Sequence, residues 1–102
     1  MIVKDLVVQN NAGFHVRSAS LLCKTAGKFN ANLSLSKGGG YDADCKSCLD
    51  LLTLMAPKGT VLTLKAEGDD AEQAVQEIES IFNQKFFEDE FERGQTKDGA
   101  DK

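Results

Sequence analysis

The chain contains a single histidine, set in Gly13-Phe14-His15-Val16-Arg17. An imidazole nitrogen is a nucleophile that can carry a covalent intermediate. An arginine two residues on supplies a delocalised cation whose fork suits phosphate oxygens. The apolar positions Val16, Ala19, Leu22, Cys23 and Ala26 recur at three and four residues, which predicts a helix over 16–28 with one buried face. The first turn of such a helix directs unpaired N–H groups outward, backed by the positive end of the helix dipole. That end receives anions. Val16, Arg17 and Ser18 would thus form a phosphate-binding terminus beside His15, and Gly13 would let backbone pass close by without a side chain in the way. The arrangement suits a phosphoryl group held transiently on the ring. On position alone, a plain helix cap beside a solvated arginine is an equally good reading.

Two more groupings could carry chemistry, both in Cys45-Lys46-Ser47-Cys48-Leu49. Ser47 opens a second helical stretch, where a serine ordinarily acts as an N-cap worth ~1 kcal/mol. The C-x-x-C spacing puts thiols at a helix start, as in dithiol oxidoreductases. No β-α-β setting surrounds it, so two reduced thiols at a chance spacing is the preferred reading. A zinc site built from His15, Cys23, Cys45 and Cys48 fails on length. His15 and Cys23 would lie ~12 Å apart along one helix, too far for ligands each about 2.0–2.3 Å from one metal. No metal and no cofactor is expected.

Elements that position these residues follow from pattern. Ile2 to Val8 reads as a strand, and Asn10 to Gly13 as the turn that ends it. Ala31 to Ser36 alternates, with Ala31, Leu33 and Leu35 on one face and Asn32, Ser34 and Ser36 on the other. Lys37 to Gly40 forms a glycine hairpin leading to a return strand over Tyr41 to Cys45. A short helix from about Ser47 to Met55 carries Leu51, Leu54 and Met55 as a core stripe and stops at Pro57 and Gly59. Thr60 to Ala66 is a further strand. Asp70 with Gln73 resembles a capping box for the last helix, whose inward stripe is Ala71, Ala74, Val75, Ile78, Ile81 and Phe82. From Glu88 the chain is charged with little to bury and is expected to fray, leaving 1–87 as the domain and 88–102 as a tail. The order β-α-β-β-α-β-α implies one antiparallel sheet with its helices on a single face.

Composition bounds the rest. A chain of 102 residues with 41% hydrophobic and 27% charged residues is one soluble domain. A net charge of -4 opposes nucleic-acid or anionic-membrane binding. No apolar run approaches the ~20 residues of a membrane span, and Met1 to Asn10 lacks a signal-peptide pattern. Three cysteines without an export signal point to reduced thiols in the cytoplasm.

At His15 the sequence becomes recognisable. Asn10 to Ser20, "NNAGFHVRSAS", resembles the active-site segment G-(L/I/F)-H-A-R-P-A of the HPr family, histidine phosphocarriers of the bacterial phosphotransferase system. Lys46 to Ile78, "KSCLDLLTLMAPKGTVLTLKAEGDDAEQAVQEI", is similar to that family's second signature. The resemblance covers about Ile2 to Lys85. It implies an α+β open-faced β-sandwich, a four-stranded antiparallel sheet with three helices on one face. It further implies that His15 is the phosphohistidine and Arg17 the phosphate-assisting arginine. Enzyme I, charged by phosphoenolpyruvate, would be the donor and IIA domains of sugar permeases the acceptors, the carrier itself being no enzyme and acting as a monomer. Ser47 matches the serine regulated by HPr kinase/phosphorylase. Cys48, Leu49 and Leu52 match exposed docking positions, which Phe14 would extend toward His15. Two positions depart from the family: Val16 stands for alanine and Ser18 for proline. The serine would either add a donor to the phosphate site or reduce its rigidity, and a regulatory paralogue that does not feed sugar transport is the alternative function.

Overall fold

The structure, a computed structural model, describes residues 1–38 and 40–87. The charged segment expected to fray, 88–102, lies outside the described residues. In chain order the elements are β1 (Ile2–Val7), α1 (Val16–Ala26), β2 (Asn32–Lys37), β3 (Asp42–Asp44), α2 (Cys48–Leu52), β4 (Val61–Glu67) and α3 (Ala71–Asn83). The strands form one antiparallel sheet in the order β1-β4-β2-β3.

Alternation decides which face is covered. Leu6 lies opposite Leu62, and Leu35 opposite Leu64 and Ala43, all of them buried. Val3, Val7 and Val61 project from the other face and are exposed. On the covered face α3 packs against β1 and β4, and α1 against α2 and α3. The buried residues of α3 are the stripe Ala71, Ala74, Val75, Ile78, Ile81 and Phe82 that its periodicity predicts. Ser36, expected to face solvent, is buried instead. It sits on an interior strand, flanked by Thr63 on β4 and Asp42 on β3.

The helices correct the sequence reading in three places. The buried face of α1 runs through Ser18, Ala19, Leu22, Thr25 and Ala26, about one residue round from the apolar stripe, so Val16 is left exposed. α2 is shorter than expected. The Thr53 hydroxyl bonds back to the Asp50 carbonyl at 2.7 Å, while Thr53 and Leu54 N–H groups make tighter three-residue bonds. Helical spacing therefore ends before Met55, which is exposed rather than part of a core stripe. Third, Asp70 caps α3 without a side-chain bond to it. Its carboxylate accepts instead from the Asn30 and Ala31 N–H groups, both at 2.8 Å, and ties the entry of β2 to the start of α3. Gly68 permits this approach, since a Cβ there would lie 2.8 Å from the Ala31 Cα.

The end of α3 is closed by a turn over Lys85–Phe87, all three residues at positive φ near 55–60°. Non-glycine residues hold such angles only against compensating contacts. Here the Phe86 ring is buried against Phe82 and Phe14, with centroids 4.8 and 5.9 Å away. Among the described residues no helix is long and apolar enough to cross a membrane.

The Asn30 N–H, foremost, holds the Asp70 carboxyl below its ordinary value. A depressed carboxyl contributes stability that is present above its unfolded pKa of about 3.9 and lost as pH falls through the lower folded value. Asp70→Asn is therefore expected to lower the urea midpoint at neutral pH, with the gap from wild type closing as pH falls below the ordinary carboxylate range. Equilibrium unfolding at several pH values reads this directly.

Candidate functional site

The site begins with a turn that cannot relax. Asn10 Nδ2 donates to the Gly13 carbonyl at 2.6 Å, and the Gly13 N–H to the Asn10 carbonyl at 3.0 Å. The next residue pairs with the far end of the chain's middle. Phe14 N–H donates to the Ala56 carbonyl at 2.7 Å, and Ala56 N–H to the Phe14 carbonyl at 3.1 Å. The two backbones come so close that a Cβ on Gly13 would lie 2.4 Å from the Ala56 oxygen, and its φ of +80° favours glycine independently. Gly13 thus makes room for the Ala56 backbone.

His15 follows as the N-cap of α1, in extended conformation and half-buried. Its Nδ1 accepts from the Arg17 N–H at 3.3 Å, and the Ser18 N–H also points at the ring. The Ser18 hydroxyl reciprocates by accepting from the His15 N–H at 2.8 Å, with the His15 carbonyl 3.1 Å away as its own acceptor. Ser18 is fully buried. Its hydroxyl therefore closes a capping box on the loop rather than projecting as a donor from the helix terminus expected to bind phosphate. The gain over proline is a backbone N–H directed at the imidazole. An Nδ1 that accepts a hydrogen bond keeps its lone pair toward the helix end, and the neutral ring then carries its proton on Nε2. The first turn of α1 holds no acidic residue, and Arg17 is exposed beside the ring.

The second element repeats the design in miniature. Ser47 caps α2 in extended conformation, and its Oγ accepts from the Asp50 N–H at 3.2 Å. The Asp50 carboxylate in turn receives the Asp44 N–H and the Tyr41 hydroxyl, each at 2.9 Å, which together hold its carboxyl below the usual range. Next to Ser47, Cys48 is exposed, Leu49 is 80% exposed and Leu52 is half-buried. Phe14 does not join them. Only 1% exposed, it packs inward on Phe86, so the expected docking patch loses that residue. The alternation of side chains around the Phe14–Ala56 bridge turns it to the core. Exposed apolar residues that periodicity had assigned inward stand in this region instead: Val16 at the start of α1, and Met55 beside Ala56. The C-x-x-C pair also separates. Cys45 is fully buried, its N–H on the Leu33 carbonyl and its thiol pushed up to about 12 chiefly by burial.

A histidine nitrogen seated on a helix N-terminus, at one end of an open-faced α+β sandwich, defines the class of the small phosphocarriers. The family described as "PTS HPr component phosphorylation site" matches residues 2–84. The chain belongs to this HPr family. Phosphocarrier protein HPr of Xylella fastidiosa strain 9a5c is 34% identical over 89 residues, covering 87% of this chain and 99% of that protein. Among solved structures, HPr of Thermoanaerobacter tengcongensis is 32% identical with a TM-score of 0.80, over 86% of this chain and 98% of that one. Crh, the Bacillus subtilis catabolite repression protein, was solved as a domain-swapped dimer; it is 27% identical, with a TM-score of 0.65 over 83% of this chain and 97% of that one.

Gly13→Ala is expected to destabilise the protein by about 2 kcal/mol or more, from positive φ and the Ala56 contact together. Urea unfolding at neutral pH measures it.

Proposed function

We propose that the protein accepts a phosphoryl group on His15 Nδ1 from an enzyme I charged by phosphoenolpyruvate, and surrenders it to IIA domains of sugar permeases in the cytoplasm. The observation that carries this reading is the Nδ1 lone pair facing the N-terminus of α1. In the transfer, the Nδ1 lone pair forms the N–P bond as the bond from phosphorus to the donor breaks. The Arg17 and Ser18 N–H groups, already aimed at that nitrogen, are placed to receive the phosphoryl oxygens. The Arg17 guanidinium adds charge that grows in value as the dianion arrives. The Ser18 hydroxyl, by contrast, supports the loop rather than the reaction. His15 and Arg17 both lie at the start of α1, so one copy of the chain supplies both groups, in keeping with a monomer.

Ser47 is the proposed regulatory site, a target for an HPr kinase/phosphorylase. A phosphate there is tolerated at a helix start while its charge repels partners docking on Cys48, Leu49 and Leu52. A second reading, a regulatory paralogue, draws support from Ser18 and from the likeness to Crh. Under it His15 or Ser47 is phosphorylated without onward transfer to a sugar IIA domain.

Incubation with phosphoenolpyruvate and enzyme I is expected to give an acid-labile, alkali-stable adduct on the wild-type chain and none on His15→Ala. Label of the same kind on that variant would overturn the assignment. Arg17→Ala is expected to slow charging by about 10²-fold, the usual scale for losing one charge-stabilising group. Ser47→Asp should slow charging while leaving the thermal midpoint near wild type, because aspartate is also a good N-cap.

A further inference from the structure

The cysteine chemistry lies across two helices. Cys23 on α1 is partly exposed, and its Sγ donates to the Lys46 carbonyl at 3.4 Å, two residues before Cys48 at the start of α2. The neighbouring Cys48 thiol, through a hydrogen bond, is the main cause holding the Cys23 thiol above its ordinary value, with burial second. α1 and α2 pack directly together, which is what brings residues 25 apart in sequence side by side. Cys48 is exposed to oxidants, whereas Cys45 is buried in the core and held protonated. Among the described residues no three Cys, His, Asp or Glu side chains gather as metal ligands.

We propose that Cys23 and Cys48 form an oxidant-responsive dithiol whose disulfide staples α1 to α2, beside Ser47. Hydrogen peroxide is the oxidant. The Cys48 thiolate attacks the peroxide oxygen, giving a sulfenic acid and releasing water once the leaving oxide is protonated. Cys23 then gives up its proton and attacks the Cys48 sulfur, displacing hydroxide, which leaves as a second water. Two electrons pass from the thiol pair to the peroxide and one S–S bond forms. Cytosolic disulfides of this kind are transient and sensing rather than structural. Because the staple joins the helices whose N-termini carry His15 and Ser47, it restricts local opening of the short α2.

The test uses the full reduced chain with hydrogen peroxide, followed by thiol blocking, digestion and mass spectrometry, and reads thiols and amides without phosphoryl transfer. The expected product is an intramolecular Cys23–Cys48 disulfide with Cys45 free, reversed by dithiothreitol. Amide exchange in α2 should slow by several-fold in the oxidised form. Cys23→Ser and Cys48→Ser should each abolish the linkage, and Cys45→Ala should keep it. A disulfide that includes Cys45, a linkage only between chains, over-oxidation of Cys48 without a disulfide, or unchanged exchange in α2 would each overturn the proposal. The wild-type map decides the pairing even where a variant folds poorly.

Discussion

Two backbone hydrogen bonds between Phe14 and Ala56 are the constraint on which the site depends. They clamp the loop before α1 to the loop after α2, and so set where α1 begins. The position of the His15 ring at the helix end follows from that start. One residue earlier, Gly13 must lack a Cβ because the Ala56 carbonyl occupies its space. At the bridge itself, Phe14 turns inward and packs with its ring tilted against Phe86, whose left-handed turn closes α3. The residue before His15 is thereby anchored in an aromatic cluster drawn from both ends of the domain.

Several polar side chains among the described residues are bonded to backbone N–H groups at element ends. His15 Nδ1, Ser18 Oγ and Ser47 Oγ take up helix-start or loop N–H groups, and the Asp50 and Asp70 carboxylates each take N–H groups from another element. The economy has a functional side. A nitrogen or oxygen that accepts helix N–H groups stands where those groups can also receive a phosphoryl oxygen. His15 and Ser47 are such positions on two different helices. Asp70 differs because its donors lie on a neighbouring loop, so it fastens the entry of β2 to α3.

Some of this was legible in the sequence because it depends on local period and local chemistry. The α3 stripe was complete, since an amphipathic helix of that length encodes its own buried face. The His15 terminus was legible because the helix period and the preceding turn both lie within a few residues of it. Ser36, Met55 and Phe14 were read on the wrong side. Ser36 is buried because two strands flank it, Met55 is exposed because α2 stops early, and Phe14 turns inward at the bridge. The first and last of those facts are properties of neighbours distant in sequence, whereas the early stop of α2 comes from the Thr53 bonds to Asp50, three residues back.

The thiols make the division plainest. Spacing joined Cys45 to Cys48, but a strand end and a helix start point their side chains apart, one into the core and one to solvent. Packing of α1 on α2 instead brought Cys23 to Cys48. The sequence by itself determined the elements, the helix end at His15 and the cap at Ser47, because hydrogen bonding and hydrophobic period act over one or two turns. Only the tertiary structure decided why Gly13 must be glycine, what the Ser18 hydroxyl does and which thiols meet. Those depend on backbone and side-chain approaches between segments the chain separates by 25 residues or more, save at Ser18, where the rotamer rather than the residue type selects the partner.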